Sequence, residues 1–316
     1  MTTDPTPSAS EMVAAAQLRR SRRRWRALFF VAVVVAVLAL AGRFALDRSG
    51  GTTTGSQIAR VEISGLIASD RERDALFKKL ADDDSVKAVI VAINSPGGTT
   101  AGGEDLYESL GALRAKKPVV ATIDEMGASA AYMTAIAADH ILARRLSIVG
   151  SIGVLFQTFN AGKLMDTIGI GSDKVASGPL KAEPDFTKPM SPEVRTALTS
   201  LVTDSFNWFV DIVAERRKLA RPDALALADG RILTGRQALD DKLIDEIGAE
   251  PEAVAWLESD KKIAADLPVV KRWPLPDSGF PNIGKLIGSE ARAALGLPAD
   301  GPVALDGLVS LWQVGP

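Results

Sequence analysis

Short apolar runs alternate with helix-forming stretches through the middle of the chain. The runs with the composition of strands are residues 58–63, 86–93, 118–123 and 140–143. The helix-forming segments beside them are residues 70–82, 102–115 and 130–138. Strand–helix alternation of this kind predicts an α/β fold with a parallel sheet, in which functional sites lie at the carboxyl ends of the strands.

The pattern is less regular after residue 153. A short helix is predicted over residues 161–168, and a proline-bearing loop follows it. Ser191 and Pro192 are typical of a helix start, which predicts a long helix that ends near residue 219. Residues 229–248 predict a turn, a helix, a second turn and a short strand, and a further helix is expected over residues 251–261.

The N-terminal region has the pattern of a membrane anchor. Residues 1–26 end in a cluster of six arginines, and residues 27–46 form an apolar run interrupted by Arg43. About 20 apolar residues span a bilayer, and flanking arginines keep their side in the cytoplasm. We therefore expect a cytoplasmic basic tail at 1–26, one transmembrane signal anchor at 27–46, and the remaining chain on the other side of the membrane.

A cleaved signal peptide is the alternative to an anchor, because Ala39, Leu40 and Ala41 could serve as a signal-peptidase site. After the apolar run, residues 47–56 have the composition of a flexible linker. A globular domain is expected over residues 57–272. The C-terminal extension, residues 273–316, is rich in proline and glycine, and we expect it to pack loosely.

Composition excludes several kinds of site. The chain has 316 residues, a net charge of −2, no cysteine and one histidine, His140. The charge gives no reason to expect nucleic acid as a partner. The missing cysteines exclude a cysteine nucleophile and thiolate metal sites, and a single histidine excludes a multi-histidine metal site. No cofactor or metal is expected, and no phosphate-binding glycine motif is present to suggest a nucleotide.

Ser129 lies where the strand 118–123 and a turn at 124–127 lead into a helix. A serine at this place can cap the helix through its hydroxyl group. It can also act as a nucleophile, because free backbone N–H groups and the helix dipole favour negative charge there. The local sequence leaves both roles open.

A second glycine-rich stretch, residues 94–98, follows the strand 86–93. Paired glycines let backbone N–H groups face a cleft, as in an oxyanion hole, whereas a plain tight turn would use the same residues. A nucleophilic serine also needs a base. His140 is one candidate, although a structural histidine fits its place at a strand start better. A lysine is the other, provided that burial favours its neutral form.

Four motifs occur in the order and spacing of the signal peptide peptidase A family. They are Asn94–Gly98 after a strand, the turn at Ser129, the sequence from Gly150 to Val154, and the stretch Gly230–Gly248. The chain resembles the short, single-domain bacterial form of this membrane-anchored serine protease family over residues 57–256. The resemblance implies a Clp-protease/crotonase-like α/β fold with parallel strands and repeated ββα units, preceded by one transmembrane helix.

The family's site residues can be placed on this sequence. The resemblance implies that Ser129 is the nucleophile, that Lys181 is the base of a Ser-Lys dyad, and that Ser151 positions the lysine. It also implies that backbone N–H groups of Gly97, Gly98 and Ala130 form the oxyanion hole. Two departures are Ala130-Ala131 in place of a common Gly-Gly pair and Leu180 in place of a common tyrosine. Neither removes a backbone donor or a catalytic group.

The resemblance implies an endopeptidase that degrades signal-peptide remnants and other apolar peptides. It further implies a homo-oligomeric ring, a location in the bacterial inner membrane, and a periplasmic Ser-Lys protease domain at residues 57–272. Two alternatives share the fold. One is a crotonase-like enzyme that acts on acyl-coenzyme A thioesters, which the anchor disfavours, and the other is a non-catalytic membrane scaffold.

Overall fold

A computed structural model describes residues 29, 31–35, 55–274 and 308–311 of the chain. Residues 29 and 31–35 are helical. No helix within these described ranges is both long and apolar enough to cross a membrane. The basic tail at 1–26, most of the expected anchor at 27–46 and most of the linker at 47–56 lie outside the described residues.

Helices and strands alternate from residue 57 to residue 143. The helices are α1 Arg71–Asp82, α2 Thr100–Arg114, α3 Ala130–Ile136, α4 Gly162–Thr167, α5 Pro192–Arg217, α6 Arg221–Leu227, α7 Gly235–Asp240 and α8 Glu250–Ser259. The strands are β1 Gln57–Ile67, β2 Val86–Thr99, β3 Val119–Ala128, β4 His140–Ala143, β5 Ile148–Gly150, β6 Leu155–Phe156, β7 Ile232–Thr234, β8 Glu246–Ile247, β9 Val269–Trp273 and β10 Leu308–Leu311.

The described strands form one mixed sheet. Its centre is parallel, with β1 beside β2, β2 beside β3, β3 beside β4 and β4 beside β8. Strand β9 extends the parallel part beyond β1. The antiparallel contacts join β5 to β7 and join β10 to both β2 and β6. The predicted α/β class with parallel strands is therefore confirmed.

The long strands each have two arms. The first arm of β3 pairs with β4 through Val120 to Ile123, and its second arm pairs with β5 through Met126 to Ala128. The pairing of β1 with β2 shifts register between Ser64 and Leu66 in the same way. Two strand arms therefore precede the helix that follows β1 and the helix that follows β3.

Alternating residues of the central strands face opposite helical layers. In β2, Val89 and Val91 pack into the larger core with α1, α2, α3 and α5, whereas Ala88 and Ile90 face the other side. That second side is covered by α8 through Leu257 and Ala253. Burial of both faces explains the near-continuous apolar runs in these strands.

Several predicted boundaries need correction. The expected turns at 94–98 and 124–127 are the second arms of β2 and β3, because these residues keep pairing with neighbouring strands after a bend. Helix α1 begins as predicted, with the Asp70 carboxylate accepting hydrogen bonds from the N–H groups of Glu72 and Arg73. Helix α5 also begins as predicted, with Ser191 as its cap. Strand β7 lies where the sequence pattern predicts a turn and a helix.

Part of the C-terminal extension is ordered into the sheet. Residues 308–311 form β10, whose backbone pairs antiparallel with Gly97–Thr99 of β2. The expectation of a loosely packed tail is wrong for this segment. The boundary at residue 272 also falls inside β9, which continues through Trp273. The rest of residues 275–316 lies outside the described ranges.

Candidate active site

Ser129 lies directly between the end of β3 and the start of α3. Its backbone has φ 58° and ψ −121°, a region that non-glycine residues rarely adopt. Its side chain makes no capping hydrogen bond to α3, and the residue is 1% exposed. A conventional N-cap residue has an extended backbone and caps the helix, so Ser129 is not a cap. A strained serine at a strand-to-helix junction is typical of hydrolase nucleophiles.

Hydrogen bonds hold the Ser129 backbone in this conformation. Its N–H donates to the carbonyl of Gly150 at 2.8 Å, and its carbonyl accepts from the N–H of Tyr132 at 2.8 Å and of Met133 at 3.0 Å. The first contact ties the residue to β5, and the other two tie it to α3. Surrounding structure can maintain such a backbone only when it is fixed on both sides.

Helix α3 is buried along its whole length and is secured at its far end. The Tyr132 hydroxyl donates to the carbonyl of Leu243 at 2.7 Å. Arg216 of α5 donates to the carbonyls of Ile136 and Ala138, both at 2.7 Å. The two Arg216 bonds satisfy carbonyl groups at the C-terminal end of α3, where a helix leaves its last carbonyls unpaired. Ser129 therefore directly precedes a helix whose position is fixed by these hydrogen bonds.

The second arm of β2 runs beside Ser129. Ser95 pairs with Gly127, two residues before Ser129, and Gly97 and Gly98 continue the arm. Gly98 must be glycine, because a Cβ atom there would lie 1.8 Å from the carbonyl oxygen of Ile67. Gly97 adopts a φ of 109°, which also requires glycine. The glycine pair thus permits the backbone of this arm to pass close to β1.

Ser95 is a site residue that the sequence analysis did not single out. Its hydroxyl donates to the carbonyl of Gly65 at 2.7 Å and accepts the N–H of Gly97 at 3.1 Å. The N–H of Gly97 therefore has a partner already and is not open to a substrate oxygen in this structure. Ser95 is 1% exposed, and it braces the arm that carries Gly98. Its position within the motif 94–98 was the only available signal.

Ala130 is the first residue of α3 and is fully buried. A backbone N–H at this helical position has no partner within its own helix. Ala130 directly follows Ser129, and Gly98 lies on the arm of β2 that runs beside the end of β3. The structure thus brings together three of the expected groups, Ser129, Gly98 and Ala130.

Ser151 is also beside Ser129. Gly150, whose carbonyl receives the Ser129 N–H, immediately precedes it. Ser151 has φ 51°, is 8% exposed, and donates its N–H to the carbonyl of Arg231 at 2.8 Å. Gly150 and Gly230 both have positive φ, which lets the turn at residues 229–231 approach β5 closely. The motif from Gly150 to Val154 and the stretch Gly230–Gly248 therefore meet at this hydrogen bond.

No described side-chain contact links Lys181 to these groups in the single chain. Lys181 is exposed in the loop after α4, and no hydrogen bond or ion pair joins its side chain to another described residue. Lys174, in the same loop, does form an ion pair. Its ammonium contacts Glu183 at 2.6 Å, and the hydrogen bond to Glu183 raises the pKa of Lys174. A lysine held protonated in this way is unsuited to be a base, and so Lys181 is the better placed of the two.

His140 stands at the opposite end of the sheet from Ser129. It pairs with Val120 near the start of β3, whereas Ser129 follows the last residue of that strand. At about 3.3 Å per residue, this separation is several times the length of a hydrogen bond. The imidazole stacks on Trp256 at 4.5 Å and lies 3.2 Å from Glu246. The structural interpretation of His140 is therefore correct, and His140 cannot serve as the base.

No group of described residues could hold a metal ion. The site combines instead a buried serine, neighbouring backbone N–H groups and a second buried serine. That arrangement is suited to nucleophilic attack on a carbonyl carbon.

Comparison with known proteins identifies the chain's relatives. Residues 111–264 match the model of Peptidase family S49. A Synechocystis sp. protein that is provisionally named as a protease is 38% identical over 207 residues, which cover 65% of this chain and 74% of the relative.

Two longer relatives have established names. Protease 4 of Salmonella typhi is 33% identical over 232 residues, covering 70% of this chain and 36% of the relative. Serine protease SPPA of the Arabidopsis thaliana chloroplast is 30% identical over 264 residues, covering 81% of this chain and 36% of the relative. The chain thus spans about a third of the length of these two proteins.

Proposed function

Because the chain belongs to peptidase family S49 and is an SppA-like serine peptidase, we propose that it is an endopeptidase for signal-peptide remnants and other apolar peptides. The single observation that carries this proposal is the geometry of Ser129. It is a buried serine with φ 58°, fixed between β3 and α3, and it does not cap its helix. A strained backbone without a capping role needs another explanation, and nucleophilic catalysis supplies one.

In the proposed reaction, the Ser129 hydroxyl oxygen attacks the scissile carbonyl carbon. The neutral amine of Lys181 takes the hydroxyl proton and then gives it to the leaving amine, and water hydrolyses the resulting acyl-enzyme. The N–H groups of Gly98 and Ala130 stabilise the oxyanion. Each donor of this kind is worth about 10²–10³ in kcat. Ser151, beside Ser129 on β5, positions the lysine.

The substrate is proposed to bind as an extended strand. Gly97–Thr99 of β2 and Leu155–Phe156 of β6 both form antiparallel pairs with a segment that lies between them. An extended peptide in this groove gains backbone hydrogen bonds on both edges, which is the mode of β-strand addition. Main-chain recognition of this kind accepts many sequences, as a degrading peptidase requires.

Lys181 needs a dry environment to act as a base. Desolvation disfavours the ammonium form, yet Lys181 is exposed in the single chain. We propose that a second copy covers it in a homo-oligomeric ring. The surrounding segment supports this, because large apolar side chains there are exposed, including Phe159 at 77% and Ile168 at 59%. Exposed apolar surface of this extent is typical of an interface.

Membrane anchoring is also proposed. Six arginines followed by the apolar run 27–46 support a single-pass anchor in the bacterial inner membrane, with a cytoplasmic N-terminus and a periplasmic peptidase domain. Membership of a peptidase family favours proteolysis over acyl-coenzyme A chemistry. The remaining alternative is a non-catalytic scaffold, and an activity measurement distinguishes it from a peptidase.

The test compares Ser129→Ala and Lys181→Ala with the parent chain on a quenched fluorescent signal peptide. Each variant is expected to lower kcat/KM by about 10³-fold or more, because the reacting groups act as a unit. Lys188→Ala is the matched control, since Lys188 is another exposed lysine of the same loop, and it should retain parent activity. Full activity of either test variant contradicts the dyad, and an inactive parent chain favours the scaffold.

A further inference from the structure

A cavity opens between α2, α3 and α5, next to the residues of the proposed reaction centre. Its volume is about 440 Å³. Thr100 and Ala101, at the start of α2, line one side of it and come shortly after Gly98 along the chain. Met133 of α3 also lines the cavity, and its backbone N–H donates to the carbonyl of Ser129. The cavity therefore adjoins both segments that carry the proposed reacting groups.

Part of the cavity wall is apolar. Met133 is fully buried, and Trp208 of α5 forms another part of the wall. Tyr107 of α2 packs against the Trp208 ring, with the two ring centroids 5.9 Å apart and the planes at 86°. An indole ring held in this way can contact an alkyl chain and can attract a cation through its face. The wall therefore suits a long side chain with an aliphatic stem.

The same cavity carries negative charge. Three carboxylates line it, and no lysine or arginine of the described chain does so. They belong to Glu104 of α2 and to Asp204 and Asp211 of α5. Asp211 forms an ion pair with Arg221 at 2.7 Å. No hydrogen bond or ion pair joins the side chain of Glu104 or Asp204 to another described residue.

These two unpaired carboxylates decide the sign of the charge in the cavity. The positive end of a helix dipole, such as the start of α2, is equivalent to about half an elementary charge. Glu104 and Asp204 each carry a full negative charge and therefore outweigh it. A cationic group that enters the cavity can bind to both carboxylates and to the indole face.

We propose that this cavity accepts a lysine or arginine side chain of the substrate, on the residue whose carbonyl carbon Ser129 attacks. This inference rests on the proposed function, because it uses the same reaction centre. The aliphatic stem packs against Met133 and Trp208, and the cationic head reaches Glu104 and Asp204. Signal peptides join a positively charged segment to an apolar one. The preference therefore directs cleavage into the charged segment of such a peptide.

The decisive substrates are two quenched peptides that differ in one side chain. One has arginine before the scissile bond, and the other has citrulline, which has nearly the same shape but no charge. The full chain should cleave the arginine peptide with a kcat/KM about tenfold higher, because exposed ion pairs and a cation–π contact each contribute a few-fold. Mass spectrometry of the products locates the cut. Equal kcat/KM for the two peptides, or cleavage of the arginine peptide at another bond, overturns the inference.

Glu104→Gln combined with Asp204→Asn removes both unpaired carboxylates and hardly changes the size of the side chains. This double variant should lose the preference for arginine over citrulline. Glu108→Gln with Glu215→Gln is the matched control, because these exposed glutamates lie on the same two helices but outside the cavity lining. The control should keep the preference of the parent chain. A preference that persists in the test variant, or that the control loses equally, contradicts the role of the cavity.

A binding measurement keeps this inference separate from the proposed function. In a Ser129→Ala background, the fluorescently labelled arginine peptide should bind about tenfold more tightly than the citrulline peptide. Adding Glu104→Gln and Asp204→Asn should abolish the difference. Equal affinity for the two peptides overturns the inference. Charge-selective binding without any cleavage by the parent chain supports the cavity and contradicts the peptidase proposal alone.

Discussion

At the scale of single residues, Ser129 combines burial with a backbone conformation that costs about 1–3 kcal/mol in a non-glycine residue. Contacts with Gly150, Tyr132 and Met133 hold that conformation. The sequence could place Ser129 at a strand-to-helix junction, but its small, Ala-rich surroundings fit a cap equally well. The positive φ depends on the pairing of β3 with β5, which is a non-local contact and leaves no local pattern.

The need for glycine at residue 98 is likewise not predictable from the local sequence. The glycine pair was visible in the sequence, and both an oxyanion hole and a tight turn were consistent with it. The requirement for glycine comes from the carbonyl oxygen of Ile67, which would lie 1.8 Å from a Cβ atom at residue 98. Ile67 is distant in sequence, so no local pattern could reveal this close approach.

The role of Lys181 predicts a pH dependence. Only the deprotonated amine can accept the Ser129 proton, so kcat/KM should rise as the pH is raised. The measurement is a pH profile of kcat/KM on the quenched signal peptide, restricted to the range in which the chain stays folded. A profile that is flat or falls over this range would argue against a lysine base.

At the scale of elements, the largest difference from the sequence prediction is that β2 and β3 continue through stretches predicted as turns. Glycine and polar residues at 94–98 and 124–127 predicted turns, whereas both stretches are strand arms that pair after a bend. Helices with local start signals were predicted well, as Asp70 and Ser191 demonstrate. Capping uses neighbouring residues, but strand pairing uses partners far along the chain, and this explains the difference.

Helix α3 should depend strongly on its tyrosine. Burial raises the pKa of Tyr132, so its hydroxyl stays protonated and donates to the carbonyl of Leu243. Tyr132→Phe should lower the free energy of unfolding by about 1–3 kcal/mol, because it leaves a buried carbonyl without its partner. Urea unfolding monitored by circular dichroism measures this change.

Tyr107→Phe is the matched control for that variant, since the chain has two tyrosines. Tyr107 packs edge-on against Trp208, and no hydrogen bond joins its hydroxyl to a described residue. Its substitution should change the free energy of unfolding by less than about 0.5 kcal/mol. Equal effects of the two substitutions would mean that the Tyr132 hydrogen bond does not stabilise α3.

At the scale of the whole molecule, the proposed site is only partly buried in the single chain. Ser129, Gly98, Ala130 and Ser151 are brought together by the sheet, whereas Lys181 remains exposed. The sequence resemblance named all five residues, but it could not indicate that one of them would need an additional contact. The proposed ring of identical chains would supply such a contact, and the exposed apolar side chains after β5 are suited to it.

This proposal predicts that assembly and activity are lost together. Phe159→Glu combined with Ile168→Glu should shift the detergent-solubilised chain from a multimer to a single-chain mass in light scattering, because the charges disfavour burial of the apolar segment. The same variant should lose most of its peptidase activity.

Leu146→Glu is the control for the assembly experiment. Leu146 is 78% exposed but lies outside the segment between β6 and α5, so this variant should keep both the parent mass and the parent activity. A parent chain that is active while it has a single-chain mass would contradict the need for a second copy.

Covalent labelling of the active serine shows directly whether Ser129 is the nucleophile. The full chain is treated with a fluorophosphonate, and the modified residue is located by mass spectrometry, with Ser129→Ala and the exposed-helix variant Ser200→Ala treated in parallel. We expect the label on Ser129 in the parent and in Ser200→Ala, and no label in Ser129→Ala. A label on another residue, or equal labelling of Ser129→Ala, would contradict the assignment.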